Sequence, residues 1–156
     1  SLTTDLIVGF PGESDEDFRD SFNLLRGVKF DIVHTAAYSP REGTRAAIMD
    51  DQLDNRIKAA RLNEINDMQS VLARELNEGY VGRELEILID AQAPKGDGLF
   101  QGRTMSDKVV IISGTSDDLG KYINVKITRA SHWSRYTTGR SCGSATSSVV
   151  VETNSQ

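Results

Sequence analysis

One cysteine, Cys142, and two histidines, His34 and His132, are the chain's whole stock of soft metal ligands. They are too few for a zinc or iron–sulfur site, so any metal chemistry must be supplied from elsewhere. Phosphate-binding loops are excluded as well: no Gly-Lys-Ser/Thr occurs, and no G-x-G-x-x-G follows a strand. Two other places hold residues that could act on a ligand. The first is Asp5 to Phe18 (DLIVGFPGESDEDF), where an apolar run meets a turn rich in Gly and Pro. Such a turn lies beyond the carboxyl end of a strand, where parallel α/β folds bind their ligands, although any βα connection can use Gly and Pro. The second is Leu99 to Tyr136, which carries 6 Lys and Arg against 3 Asp. Phe100, Tyr122, Trp133 and Tyr136 are interspersed there as stacking groups, a composition suited to a nucleic-acid backbone and unpaired bases. A small barrel with scattered cations and no nucleic-acid role has the same composition. The carboxylates of Asp50 to Asp54 read as a solvated helix start rather than a catalytic pair.

These residues need elements to hold them. Leu6 to Val8 reads as a strand covered by helices on both faces. Pro11-Gly12 suits the centre of a type II turn, and Ser14 with Asp17 reads as an N-cap with its acidic partner. Phe18, Phe22 and Leu25 then recur along one helical face. Phe30 to Tyr38 reads as a second strand, with Ser39 to Thr44 as its exit loop. A long helix follows through Ile57, Leu62, Ile65, Met68, Leu72 and Leu76. Arg56, Lys58, Arg61, Glu64, Asp67 and Arg74 fall mostly on its other side, and Asn77 to Gly79 can close it. From Gly82 the period changes to alternation: Leu85, Ile87 and Ile89, and later Ile123, Val125 and Ile127, mark half-buried antiparallel strands. Leu99 to Thr104, Lys108 to Ile112 and a short strand around His132 to Tyr136 complete the pattern of a small closed or nearly closed β-barrel.

The sequence therefore predicts α/β followed by all-β, with units at 1–77 and 78–138 and a disordered tail at 139–156. Charge divides the same way. Residues 1–77 hold 9 Lys and Arg against 14 Asp and Glu, whereas 78–138 hold 8 of each. No run approaches a membrane span and no signal peptide is recognisable, so a cytoplasmic protein with no membrane partner is expected. A parallel strand at position 5 also needs neighbours to bury it. Partner strands N-terminal to this chain are expected for that reason.

Several segments together resemble one family. They are Thr4 to Glu13 (TDLIVGFPGE), Phe30 to His34 (FDIVH), Tyr38 to Arg41 (YSPR) with Gly43-Thr44, Gly102 to Thr104 with Lys108 to Val110, and Val125 to Ile127 with Trp133-Ser134. In order and spacing they are similar to the carboxyl-terminal part of the radical SAM methylthiotransferases, over roughly residues 3 to 137. The FDIVH and YSPR wording resembles most the branch that acts on tRNA, with the branch that modifies a ribosomal protein as the alternative. The resemblance implies that residues 1–77 are the last βα units of a radical SAM partial TIM barrel, and that residues 78–138 are a TRAM domain, a small OB-like barrel that binds RNA. It also implies the reaction: a methylthio group placed on C2 of isopentenyl-adenosine beside the anticodon, using S-adenosylmethionine and 4Fe-4S clusters. The cluster ligands would lie outside this chain, in missing N-terminal domains that include a flavodoxin-like one. Cys142 matches none of them, so the chain alone is expected to be inactive, with no catalytic and no metal-binding residue of its own.

The resemblance implies site residues too. Ile7, Val8, Gly9, Phe10 and Pro11 would lie against the adenine of S-adenosylmethionine, although Asp5 stands where a glycine is often found in the wider family. For Ile7 and Val8 a plain core role stays open. Tyr38, Ser39 and Arg41 would face the same mouth, unless Arg41 pairs with a nearby carboxylate. On the RNA side stand Arg103, Thr104, Lys108, Lys126, Arg129 and Trp133, although a tryptophan in a small barrel is more often a core or lid residue than a stacking platform. A stand-alone RNA-binding module, with a merely structural α/β part, is the competing function. A protein-interaction domain built on the long helix is a third.

Overall fold

The computed structural model describes residues 1–94, 96–130 and 148–150. They form two compact units, residues 2–72 and Ala73 onward.

The first unit opens with β1 (Thr3–Val8), α1 (Asp15–Val28) and β2 (Ile32–Ala37). β1 and β2 are parallel, with Thr3 opposite Ile32 and Val8 opposite Ala37. A 3-10 turn at Arg45–Ile48 leads to α2 (Asn55–Glu78), whose residues up to Leu72 belong to this unit. α1 begins as its sequence predicts: Ser14 Oγ accepts the Asp17 N–H at 3.1 Å, and the Asp17 carboxylate accepts the Ser14 N–H at 3.0 Å. Two orphan amide donors are satisfied reciprocally. The helix ends at Lys29, in the left-handed region, whose N–H reaches the Leu25 carbonyl.

Val8 and Val33 from the strands, Phe18 and Leu25 from α1, and Ile65 from α2 make the buried core, with Leu6, Phe22, Phe30, Leu62 and Met68 around them. Both helices therefore cover the same face of the sheet. The expectation of a strand covered on both faces is corrected here. Side chains alternate across a strand, so Asp5 and Ile7 lie on the face opposite Leu6 and Val8. Ile7 is 57% exposed, and Asp5 and His34, partners in register, are exposed as well. The apolar stripe of α2 also differs from its expected course. Ile57 is exposed, whereas Lys58 and Arg61, expected on the polar side, are 5% and 6% exposed.

The second unit holds β3 (Glu84–Gln92), β4 (Leu99–Thr104), β5 (Val109–Ser113), β6 (Tyr122–Lys126) and β7 (Ser148–Val150), in the sheet order β6-β3-β4-β5-β7. β3 is antiparallel to β4 and β6, with a register shift between Ile89 and Ala91 that lets the long strand bend. Ile87 and Ile89 meet Phe100, Val110, Ile112, Val125 and Ile127 in a single core. Alternation predicted Ile87, Ile89, Val125 and Ile127 of this set. Among the described pairings β6 and β7 remain edges, so the sheet is an open one rather than a closed ring. The strand expected at His132 to Tyr136 lies outside the described residues. Ser148–Val150 pairs parallel to β5; the rest of the tail expected to be disordered, 139–147 and 151–156, lies outside the described residues.

Candidate functional site

The turn after β1 is held by one carboxylate. Glu13 Oε2 accepts the N–H of Gly9 at 2.6 Å and that of Phe10 at 3.2 Å, while Glu13 N–H donates to the Phe10 carbonyl at 2.9 Å. Glu13 Oε1 in turn accepts from Arg61 Nη1 at 2.6 Å, and the same nitrogen donates to the Glu13 carbonyl at 3.1 Å. The second arm of Arg61 reaches Asp15 at 2.7 Å. The Arg61 and Glu13 side chains are 7% and 14% exposed, so this is a largely desolvated, charge-assisted network. Two glycines are required by it. Gly12 has φ 82° and donates its N–H to the Asp51 carbonyl at 3.0 Å. Gly9 has φ 73°, and a Cβ there would stand 2.4 Å from Lys58 Cγ.

Beside this turn, the Tyr38 N–H donates to the Val8 carbonyl at 2.8 Å, which carries the β1–β2 ladder into the next loop. The Tyr38 ring meets Phe10 edge-on, with centroids 5.2 Å apart. Lys58 Nζ lies 5.2 Å from the Tyr38 centroid on the ring face, a cation–π contact. Tyr38 Oη is buried and has no hydrogen-bond partner among the described residues.

The predicted cofactor residues thus fall into three sets. Gly9, Phe10 and Tyr38 converge at the carboxyl end of the two strands, and Phe10 remains half exposed while Gly9 and Pro11 are buried. Val8 points into the core, and Ile7 points to the open face, so the two cannot touch one ligand with their side chains. Ser39 and Arg41 are exposed on the loop after β2; Arg41 makes no ion pair among the described residues, and its carbonyl accepts from Thr44. Sequence reasoning placed Glu13 at this end, within the turn, but missed Lys58 and Arg61. The available signal was their spacing on α2, since positions 58, 61 and 65 share one helical face.

In the second unit, Arg103 lies between two carboxylates: Nε donates to Asp90 at 2.8 Å and Nη1 to Asp107 at 2.7 Å. Hydrogen bonds to Asp107 and then Asp90 raise its guanidinium further above the usual arginine range. Thr104 builds the β4–β5 turn, its Oγ1 accepting the Lys108 N–H at 3.1 Å. Lys108 is 2% exposed, donates from Nζ to Asn77 Oδ1 at 3.2 Å and lies over the Tyr80 ring. Its ammonium is turned inward, so an external phosphate cannot meet it in this conformation. Lys126 and Arg129 are exposed, as is Tyr122 at the start of β6. Trp133 lies outside the described residues. Of the cations expected on the RNA side, Lys126 and Arg129 are thus the exposed ones among the described residues, and Arg103 is held between two carboxylates.

Among the described residues, no group of three or more His, Cys, Asp and Glu side chains is placed to hold a metal ion, and no helix is long and apolar enough to cross a membrane.

Comparison with known proteins gives this arrangement its class. The TRAM domain family matches residues 78–139, so the β-sheet unit is a TRAM domain. Relatives are found over most of the chain. It is 40% identical over 134 residues to the tRNA-2-methylthio-N(6)-dimethylallyladenosine synthase of Acetivibrio thermocellus, a match covering 86% of this chain and 28% of that protein. The proteins of the same name from Bacillus velezensis and Moorella thermoacetica are each 42% identical, over 86% and 85% of this chain and 26% and 30% of their own lengths. The chain belongs to this tRNA methylthiotransferase family, and spans less than a third of the curated relatives it matches.

Proposed function

We propose that this chain is the part of a tRNA-modifying methylthiotransferase that joins the cofactor mouth of a radical SAM barrel to an RNA-holding module. In this reading β1, α1, β2 and α2 are the last βα units of the barrel. Supporting it is the placement of Gly9, Phe10 and Tyr38 at the carboxyl ends of two parallel strands, with Glu13 and Arg61 fixing the turn that carries them. Glycine at 9 lets backbone approach a flat ring, and the exposed Phe10 and Ile7 offer it dispersion contact. S-adenosylmethionine supplies the radical chemistry when reduced by a 4Fe-4S cluster. This chain's described residues offer no ligand set for a cluster, so its own contribution is to position the nucleoside part of the cofactor and, through Lys126, Arg129 and Arg103, the RNA. The product would be 2-methylthio-isopentenyl-adenosine in tRNA, in keeping with the relatives' names.

A binding experiment tests the reading. The chain is expected to bind an anticodon stem-loop RNA with strong salt dependence, and to bind S-adenosylmethionine separately in a way that Gly9→Ala abolishes. Binding of RNA with no binding of S-adenosylmethionine would favour a stand-alone RNA module. Mass spectrometry of tRNA nucleosides is expected to show no methylthiolation by the chain alone.

A further inference from the structure

From the geometry at the carboxyl end of β1 and β2, we infer that Lys58 and Tyr38 form a subsite for an anionic oxygen group, a carboxylate or a phosphate, of the ligand bound there. The inference rests on the reading that a ligand occupies this strand end, but not on which reaction follows.

Lys58 is 5% exposed, and its ammonium makes no ion pair or hydrogen bond among the described residues. A buried cation without a counter-charge is costly, and proteins seldom keep one unless something pairs with it. The nearby anions are already engaged or lie elsewhere. Glu13 is taken by Gly9, Phe10 and Arg61, and the Asp51 carboxylate lies against Gly12. Among the described residues, only the face of Tyr38 receives the ammonium. The same tyrosine carries a second such group: Tyr38 Oη is buried with no hydrogen-bond partner among the described residues and is a donor well suited to an oxyanion. The neighbouring backbone is shaped around the lysine: Gly9 is the residue whose missing Cβ leaves room for Lys58 Cγ. If the lysine served only as an apolar stem, its charge would be a pure loss at this position.

The test uses the full chain and two matched pairs of probes, each pair differing in its anionic group. S-adenosylhomocysteine against 5′-methylthioadenosine reports a carboxylate, and adenosine 5′-monophosphate against adenosine reports a phosphate. In the parent chain the anion-bearing member of at least one pair is expected to bind about tenfold tighter or more. Which pair shows the preference identifies the source. Lys58→Met keeps the stem and removes the charge. It is expected to melt no lower than the parent and to lose the preference. Absence of any preference in the parent, or its persistence in Lys58→Met, would overturn the inference. So would a melt of Lys58→Met far below the parent's, which would show the ammonium to be stabilising where it stands. A second readout is the Lys58 13Cε resonance of the parent. It should move with the anion-bearing probe and not with its partner, and an unmoved resonance counts against the subsite. Because none of these readouts is RNA binding or methylthiolation, the subsite and the enzymatic reading can fail separately.

Discussion

Arg61→Met removes the guanidinium that ties α2 to the turn after β1, and the size of the effect follows from what is left behind. Three hydrogen bonds disappear. The one to Asp15 counts for little, because the Asp15 carboxylate is 97% exposed and an exposed ion pair contributes about 0–1 kcal/mol. The bonds to Glu13 count for more. Their loss leaves a carboxylate that is 14% exposed, facing only the Gly9 and Phe10 amides. Removing one partner of a buried pair costs about 3–5 kcal/mol. The two amides that still solvate Glu13 place this case at the lower end, about 3 kcal/mol. For a unit of this size that corresponds to a fall in melting temperature of roughly 12–24 °C. Hydrogen exchange of the Val8 and Ile65 amides, read beside urea unfolding by circular dichroism, isolates this unit from the TRAM domain. An internal control is available in Arg19, which pairs with Glu64 at the surface and should lower stability much less when replaced by Met. A double-mutant cycle of Arg61→Met with Glu13→Gln should recover a coupling energy of about 1.5–3 kcal/mol. If Arg61→Met proved no more costly than Arg19→Met, the turn would not depend on the network described here.

Lys108→Ala is expected to destabilise the TRAM unit by about 2–4 kcal/mol, since it strips a buried ammonium from Asn77 and Tyr80; any loss of RNA binding in that variant should track loss of folded protein in the same samples. Lys126→Gln and Arg129→Gln should leave melting within about 0.5 kcal/mol of the parent while each lowers the salt slope of RNA binding by roughly 0.7–0.9. Gly9→Ala should lower stability through both its positive φ and its contact with Lys58, measurable by thermal melting. At acid pH the caps at Ser14 and Thr115 should fail. Hydrogen bonds from Ser14 hold Asp17, and those from Thr115 hold Asp118, below the usual carboxylate range. A depressed folded value means the contribution is complete above the unfolded value of about 3.9 and is lost as pH falls through the lower folded value. Ser14→Ala should accordingly flatten the acid limb of the stability curve.

The parts of the fold that local chemistry decides were legible in the sequence. The Ser14 cap, the Pro11-Gly12 turn and the alternation of Leu85, Ile87 and Ile89 each involve neighbours within a few residues, and each is found where it was expected. Arg103 and Lys108 were legible as cations, but their pairing within the fold was not, because their partners Asp90 and Asn77 are brought to them by strand pairing and by the end of a helix. Lys58 and Arg61 were misplaced for a related reason. Helical periodicity treats every charge as solvent-facing, whereas a carboxylate and an aromatic ring, 48 and 20 residues away in sequence, can make a buried position hospitable. Ile7 and Val8, read together as an apolar run, separate onto opposite faces once only one face is covered. A continuous run cannot tell a strand covered on both sides from one covered on a single side.

Binding of an anticodon stem-loop RNA by the whole chain, followed by fluorescence anisotropy between about 50 and 200 mM salt, bears most directly on the central claim. A net charge of −5 disfavours general attraction to RNA. Binding that weakens with salt at a log–log slope of about −2 to −3 is therefore the result expected if Arg103, Lys126 and Arg129 each contact a phosphate. No detectable binding at the low-salt end, or binding indifferent to salt and to replacement of those residues, would contradict it.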